Sequence, residues 1–461
     1  MLIVEEGIRH VSIRGQRRLK YTFATALLLP GILSAQDPAL GSWRGYWARG
    51  GDTLLVTMEL EPGDGPNRLQ AAFSSDRLRV EGIPFTSVER DDCCRIRLTL
   101  RGDATTSLFE GMIRGDSITG TFTEAGAPGT FALRREPVGR PAPHSEEVAF
   151  TNGAVRLSGT LILPSTAPPY PAVVMMHGSG AEGRFANRFL AHRFAEAGVA
   201  ALIFDKRGVG HSSGDWPSAG FEDLAADGAA GIAMLRVRKD IRADHIGLFG
   251  HSQGGTVLPL VAEISGGAAF LIASAASGVA ADSTERFSLR NSARLSLLAP
   301  ADATAANQYV EALVAVAYHG APRGRMDSLA KTVAGQPWYF APPPPDNFYW
   351  AFSRRIAGYD APSHWRKVRS PVLLVYGSSD QRVPADASVT AIRDALRTAR
   401  RGPPTVCIYP GADHTERVQR AGDVWPRNAP GYLEDLIAWV RQAAGVDPRG
   451  AGAQRLTRSC G

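Results

Sequence analysis

Residues His245–Leu258 read HIGLFGHSQGGTVL. The first five are apolar enough for a buried strand, and the residues from Gln253 onward can start a helix. Between them lies Gly250-His251-Ser252-Gln253-Gly254, a G-x-S-x-G pattern. A serine on a sharp strand-to-helix turn is held in a strained backbone conformation with its hydroxyl presented outward. Glycines two before and two after let strand and helix close in, and Gly255 adds room. Ser252 is therefore the candidate nucleophile. Gly210-His211-Ser212-Ser213-Gly214 repeats the pattern in a different setting. Its strand ends near Phe204-Asp205, six residues intervene, and the turn Asp215-Trp216-Pro217-Ser218 follows. Ser212 reads as part of a glycine-rich loop.

Outward from Ser252, apolar runs fall at Ala172–Met176, Val199–Phe204, Ala269–Ala275, Val372–Tyr376 and Val406–Tyr409. Helical patterns at Asn187–Ala197, Phe221–Val237 and Thr256–Ile264 separate most of them. Glu147–Thr151 and Val155–Leu163 form a hairpin around Asn152-Gly153. Apolar strands alternating with helices imply an α/β fold, a mostly parallel sheet with helices on both faces. The interval 277–369 breaks the rhythm and is too long for a plain connection. Thr284–Leu298 and Ala303–Tyr318 look helical, Pro342–Pro345 is stiff, and Trp338, Tyr339, Phe340, Phe348, Tyr349, Trp350 and Phe352 crowd around it. It reads as a helical cap inserted after a strand.

A serine nucleophile on such a turn needs a base and an orienting acid, in the order serine, acid, histidine. Only His319, His364 and His414 follow Ser252, and the first two fall in the cap and its exit. His414 lies just past the last strand, in Tyr409-Pro410-Gly411-Ala412-Asp413-His414. Asp380 follows the strand Val372–Tyr376 and is the candidate acid, ahead of Asp386, Asp413 and Asp360. Backbone N–H groups of Gln253 and of Ser179, with Gly178 as second choice, can stabilise an oxyanion. His177 and His251, which flank the two halves of that hole, are assigned to substrate binding.

From about Glu146 to Ala444 the chain resembles an α/β-hydrolase. The residues that carry the resemblance are His177-Gly178-Ser179-Gly180, Asp205-Lys206-Arg207-Gly208-Val209-Gly210, the turn at Ser252, Asp380 and His414. It is similar to bacterial esterases and the related dienelactone-hydrolase and serine-peptidase branches. The resemblance implies a serine hydrolase that cleaves carboxylic esters of small molecules through an acyl-enzyme, with no metal or cofactor. A peptidase or aminopeptidase and a lipase are the alternatives that use the same triad. A catalytically silent binding protein is the rival of another class.

The remaining regions lie outside the resemblance. Residues 37–136 carry short alternating apolar runs cut by glycine, as in Ile96-Arg97-Leu98-Thr99-Leu100, and read as a small all-β barrel or sandwich with an accessory role. Residues 137–145 read as a stiff linker, 146–445 as the catalytic domain, and 446–461 as a flexible basic tail. Arg14, Arg17, Arg18 and Lys20 precede an apolar run Tyr21–Leu33 and a small-residue site, so residues 1–36 read as a secretory signal with export to the periplasm or outside. The length of the stretch ahead of the basic cluster points to a start downstream, at Val11.

The 461 residues carry a formal net charge of +6 from scattered arginines, with no basic block interleaved with aromatics, so no nucleic-acid partner is expected. No integral membrane association is expected either, because the apolar run near the start is too short to span a bilayer. Of Cys93, Cys94, Cys407 and Cys460, the first two are poorly placed to bond each other. A structural bridge and free thiols both remain open, as does oligomeric state.

Overall fold

The structure, a computed structural model, describes residues 37–65, 68–91, 94–102, 105–137, 143–398, 403–446 and 460. The expected signal at 1–36, most of the linker, Cys93 and nearly all of the tail lie outside the described residues. The chain divides into two compact units.

The larger unit is built on one eight-stranded sheet. Its strands are β1 His144–Asn152, β2 Val155–Leu163, β3 Tyr170–Met176, β4 Ala200–Phe204, β5 Ile241–His251, β6 Leu271–Ser274, β7 Val372–Gly377 and β8 Thr405–Tyr409. They lie in the order β1-β2-β4-β3-β5-β6-β7-β8. The hairpin β1–β2 and the β2–β4 pair are antiparallel, and the remaining pairs are parallel. Every residue of β3, β4, β6 and β7 is buried, as expected of parallel strands covered on both faces. Helices α1 Arg188–Glu196, α2 Phe221–Arg236 and α3 Gln253–Ile264 follow β3, β4 and β5.

The expected cap falls between β6 and β7. It holds α4 Ala281–Ser292, α5 Pro300–His319, α6 Gly324–Val333, α7 Phe348–Ile356 and α8 Ala361–Trp365. Proline starts α5 where its missing N–H costs nothing, and Gly320 ends it in the left-handed region. Trp338, Tyr349, Trp350 and Phe352 are buried and join the core that covers one face of the sheet. Phe348 meets Trp216 of the β4–α2 connection edge to face, with ring centroids 4.8 Å apart. Tyr359 Oη donates to Thr256 O of α3 at 2.9 Å, which ties the cap to the helix behind Ser252. Helices α9 Ala385–Thr398 and α10 Tyr432–Ala443 complete the unit, and Cys407 of β8 is disulfide-bonded to Cys460.

The smaller unit is a single nine-stranded antiparallel sheet. Its strands are Gly41–Arg49, Asp52–Pro62, Leu69–Ser75, Val80–Pro84, Ser87–Arg90, Arg95–Arg101, Thr106–Arg114, Ser117–Glu124 and Ala127–Arg135. The first strand pairs with both the second and the last and so lies in mid-sheet; among the described residues this unit is one half-barrel sheet. Its core is filled by rings: Trp47 lies 4.7 Å from Phe109 and 4.9 Å from Phe73, centroid to centroid.

Gln419–Pro426, within the 146–445 span read as the catalytic domain, also belongs to the smaller unit. Trp425 is buried in the aromatic core, and Asp52 accepts from the N–H groups of Val424 and Trp425. Arg77 pairs with Asp52 at 2.6 Å, and it and those N–H groups hold the Asp52 carboxyl far below the ordinary carboxylate range. No local pattern in 419–426 announces this membership, because it depends on residues more than three hundred positions away.

Candidate active site

Strand β5 runs directly into Ser252, and α3 begins at Gln253. Ser252 has φ +56° and ψ −119°, a region that non-glycine residues rarely adopt. The flanking glycines are needed for contact. A Cβ on Gly250 would lie 2.4 Å from Gly254 C, and one on Gly254 would lie 2.6 Å from His177 O. Strand, helix and the loop after β3 therefore meet at van der Waals limits, and the serine hydroxyl is what the turn leaves facing outward.

Ser252 Oγ lies 3.0 Å from His414 Nε2, and His414 Nδ1 lies 2.8 Å from Asp380 Oδ2. The Asp380 side chain is fully buried. Its other oxygen accepts from the N–H groups of Arg382 and Val383 at 2.7 and 3.0 Å, which fixes the carboxylate's orientation. The proton on Nδ1 then faces the carboxylate, and the Nε2 lone pair faces the hydroxyl. The loops carrying acid and base are joined by Ser379 N–H to Ala412 O at 2.8 Å and Gly411 N–H to Ser378 Oγ at 2.8 Å. Glu416, buried two residues past the histidine, accepts from Ser274 Oγ at the end of β6 at 2.6 Å.

His251 and His177, the residues assigned to substrate binding, both have partners within the protein. His251 Nε2 is 2.8 Å from the backbone oxygen of His414, so this ring braces the histidine loop. His177 is buried, bonded to Phe204 O and set edge-on to the Phe204 ring at 4.6 Å. Burial, with Lys206 nearby, pulls its pKa down to about 4. In the glycine-rich turn after it, Gly178 N–H donates to Glu182 Oε2 at 2.7 Å, which engages the second-choice oxyanion donor. Ser179 is half-buried at the turn's tip, and Gln253 follows the nucleophile as first residue of α3.

Lys206, the residue after the β4–Asp205 junction, was given no role by sequence reasoning, yet it is 2% exposed. It donates to Gly178 O and Gly180 O at 2.5 and 2.7 Å. Burial brings its pKa down to about 8, against the opposing pull of Glu182. Asp205 accepts from Arg184 Nη2 at 2.9 Å and from His211 N–H at 3.0 Å. Burial resists its charge, but these bonds outweigh burial and lower its pKa. Arg207 grips Asp227 of α2 through two bonds of 2.8 Å. A charged run directly after an all-apolar strand was the available signal for all three.

The rival residues lie elsewhere. Ser212 is buried, donates to Asp205 O at 2.7 Å and accepts from Ser158 N–H at 3.0 Å. His319 pairs with Asp282 and His364 with Glu263. Asp413 accepts from Thr415 and Arg417 N–H in a local turn, and Asp386 sits in the first turn of α9.

Comparison with known proteins bears on the same region. Residues 167–416, more than half of the chain, match the family described as serine aminopeptidase, S33. The quorum-quenching protein AidA of Acinetobacter baumannii is 33% identical over 110 residues, 24% of this chain and 36% of that protein. Esterase EstD of Thermotoga maritima is 27% identical over 132 residues, 27% of this chain and 31% of its own. The matched stretches thus cover well under half the length of these curated relatives. The Pyrococcus furiosus esterase Pf2001 superposes with a TM-score of 0.45 at 16% identity, over 68% of this chain and 96% of its own. Est1E of Butyrivibrio proteoclasticus, solved with ferulic acid, gives 0.41 at 18% identity, over 64% and 96%. On the extent of the family match, this chain belongs to the serine aminopeptidase S33 family of α/β-hydrolases.

Proposed function

We propose that this protein hydrolyses carboxylic esters of small molecules, with Ser252 as nucleophile, His414 as general base and then acid, and Asp380 as the orienting carboxylate. The observation that carries this reading is the unbroken line of two hydrogen bonds, 2.8 and 3.0 Å, from Asp380 through His414 to a serine at φ +56°. Ser252 Oγ attacks the carbonyl carbon as His414 Nε2 takes its proton. Asp380 stabilises the imidazolium and keeps the proton on Nδ1. The N–H groups of Gln253 and Ser179 receive the developing oxyanion, each such donor typically contributing about 3 kcal/mol. His414 then protonates the departing alcohol. Water, deprotonated by the same nitrogen, attacks the acyl carbon and releases the acid and the free serine.

Aminopeptidase activity is the second reading, favoured by the printed description of the matched family. An N-terminal amine needs an acid to hold it. Two acids of the cap are already engaged: Glu311 of α5 pairs with Arg286 and Arg290, and Glu285 of α4 accepts from Tyr349 Oη at 2.8 Å. That pairing supports the ester reading over the amine one.

We propose export as well, a reading that the Cys407–Cys460 bridge supports because such a bridge suits an oxidising compartment.

The test is a fluorophosphonate probe followed by a substrate panel. Labelling that disappears in Ser252→Ala, with short p-nitrophenyl esters turned over faster than long-chain esters and aminoacyl p-nitroanilides, is the expected result. Absence of labelling in the unaltered protein sinks the proposal, and faster turnover of aminoacyl amides replaces it with the second reading.

A further inference from the structure

Lys206 is a charge in an expensive place. A buried ammonium is usually matched by a carboxylate, because desolvation costs several kcal/mol. Here the bonded partners are backbone oxygens: Gly178 O at 2.5 Å and Gly180 O at 2.7 Å, with Gln253 Oε1 at 3.4 Å. The Trp216 ring covers the ammonium at 5.5 Å. Beside it, Lys206, His177, Asp227 and Gln253 help to line a cavity of about 10 Å³, room for about one water. Solvent therefore screens these bonds little.

The acceptors matter because of what lies across the peptide. In a trans peptide the carbonyl of residue 178 and the N–H of residue 179 form one planar unit and point in opposite directions. A cation bonded to Gly178 O fixes that plane and aims the Ser179 N–H away from the lysine. It also draws electron density toward the oxygen, which makes the N–H a stronger donor. Gln253, whose side chain approaches the same ammonium, supplies the other proposed N–H.

We infer that Lys206 is a positioning residue of the oxyanion site: its ammonium, bonded to the carbonyls of Gly178 and Gly180 beside the Gln253 side chain, orients and polarises the peptide whose N–H meets the oxyanion formed from an ester. The inference rests on the acyl-transfer reading above. An effect that grows with charge on the carbonyl oxygen is larger in the transition state than in the bound ester, so it is read in kcat rather than KM.

The experiment begins with the unaltered protein. If neither fluorophosphonate labelling at Ser252 nor ester turnover is found, the acyl-transfer reading fails and this inference falls with it. If both are found, Lys206→Met is compared with Lys206→Gln, which keeps two donors without the charge. Expected for Lys206→Met is a fall in kcat of about 10- to 100-fold with KM within about twofold. Affinity for a trifluoromethyl ketone, whose adduct with Ser252 bears an oxyanion, should fall by the same factor. Lys206→Gln should recover part of the loss. A folded Lys206→Met protein with unchanged kcat overturns the inference, as does a loss confined to KM.

Should neither variant fold, the pH profile of the unaltered protein decides. The groups facing Lys206 are His177 at the end of β3, Glu182 in the loop after it, Asp205 beside it in the chain and Asp227 from α2. A fall in kcat of about fivefold or more as pH rises through about 8, with KM steady, is expected. A kcat that stays level to pH 10 overturns the inference.

Discussion

Ser252 and Ser212 sit in the same five-residue pattern, both preceded by histidine and both buried, yet they do opposite things. Ser252 follows a strand that does not stop before it, so the chain must reverse within one residue, and the serine takes the strained φ of +56°. Its hydroxyl is left for His414. Ser212 comes after a loop that has already turned. There the glycines carry the positive φ, at Gly208, Gly210 and Gly214, and the serine is relaxed. Its hydroxyl is spent on Asp205 O and Ser158 N–H, closing the loop onto β2. A sequence pattern thus marks a nucleophile only when the backbone around it places the strain on the serine itself.

The sharpest way to break this contrast is Ser252→Ala. It should lower kcat by about 10⁴- to 10⁶-fold while the thermal midpoint stays within a few degrees, as seen by ester turnover and calorimetry. Asp380→Asn comes next. The amide can leave His414 in the wrong tautomer, so a loss in kcat of about 10⁴-fold is expected, with little change in KM.

Acid should act on stability through the buried ring at the end of β3. His177 has its pKa pulled from an ordinary 6.5 to about 4 by burial. As pH falls below 6.5 the unfolded chain takes up this proton and the folded chain does not. The unfolded state therefore binds more protons, and stability declines from pH 6.5 down to about 4. Roughly 3 kcal/mol is at stake for this group. Urea midpoints at pH 7 and 4.5 measure the decline, which should shrink in His177→Gln. The smallest effect is the informative control. Ser212→Ala should cost about 1–3 kcal/mol of stability by leaving Ser158 N–H and Asp205 O without this partner, and kcat should stay within about twofold. A kinetic loss like that of Ser252→Ala would erase the distinction drawn here.

The catalytic unit was legible because its signals are local. A parallel strand buried on both faces must be apolar throughout, so β3, β4, β6 and β7 stand out as runs. A strand that meets a helix at a serine must have small neighbours, so Gly250 and Gly254 mark the turn. Chain order then left few residues for base and acid. The half-barrel was read less completely. Gly41–Arg49, Val80–Pro84 and Ser87–Arg90 carry weak alternation, and two of these are short. Their place in the sheet comes from pairing with neighbours that do alternate.

Periodicity and turn chemistry in the sequence were enough for the layered α/β architecture, the inserted cap and the serine, acid and histidine that the fold brings together. Both depend on neighbours along the chain or on chain order. Tertiary structure alone decided the burial of His177, the bracing role of His251, the Lys206 ammonium bonded to the turn after β3, the Cys407–Cys460 bridge and the membership of Gln419–Pro426 in the half-barrel unit. Each of these is set by which groups meet across tens to hundreds of residues. The same histidine, lysine or cysteine is soluble and unremarkable until a partner removes it from water.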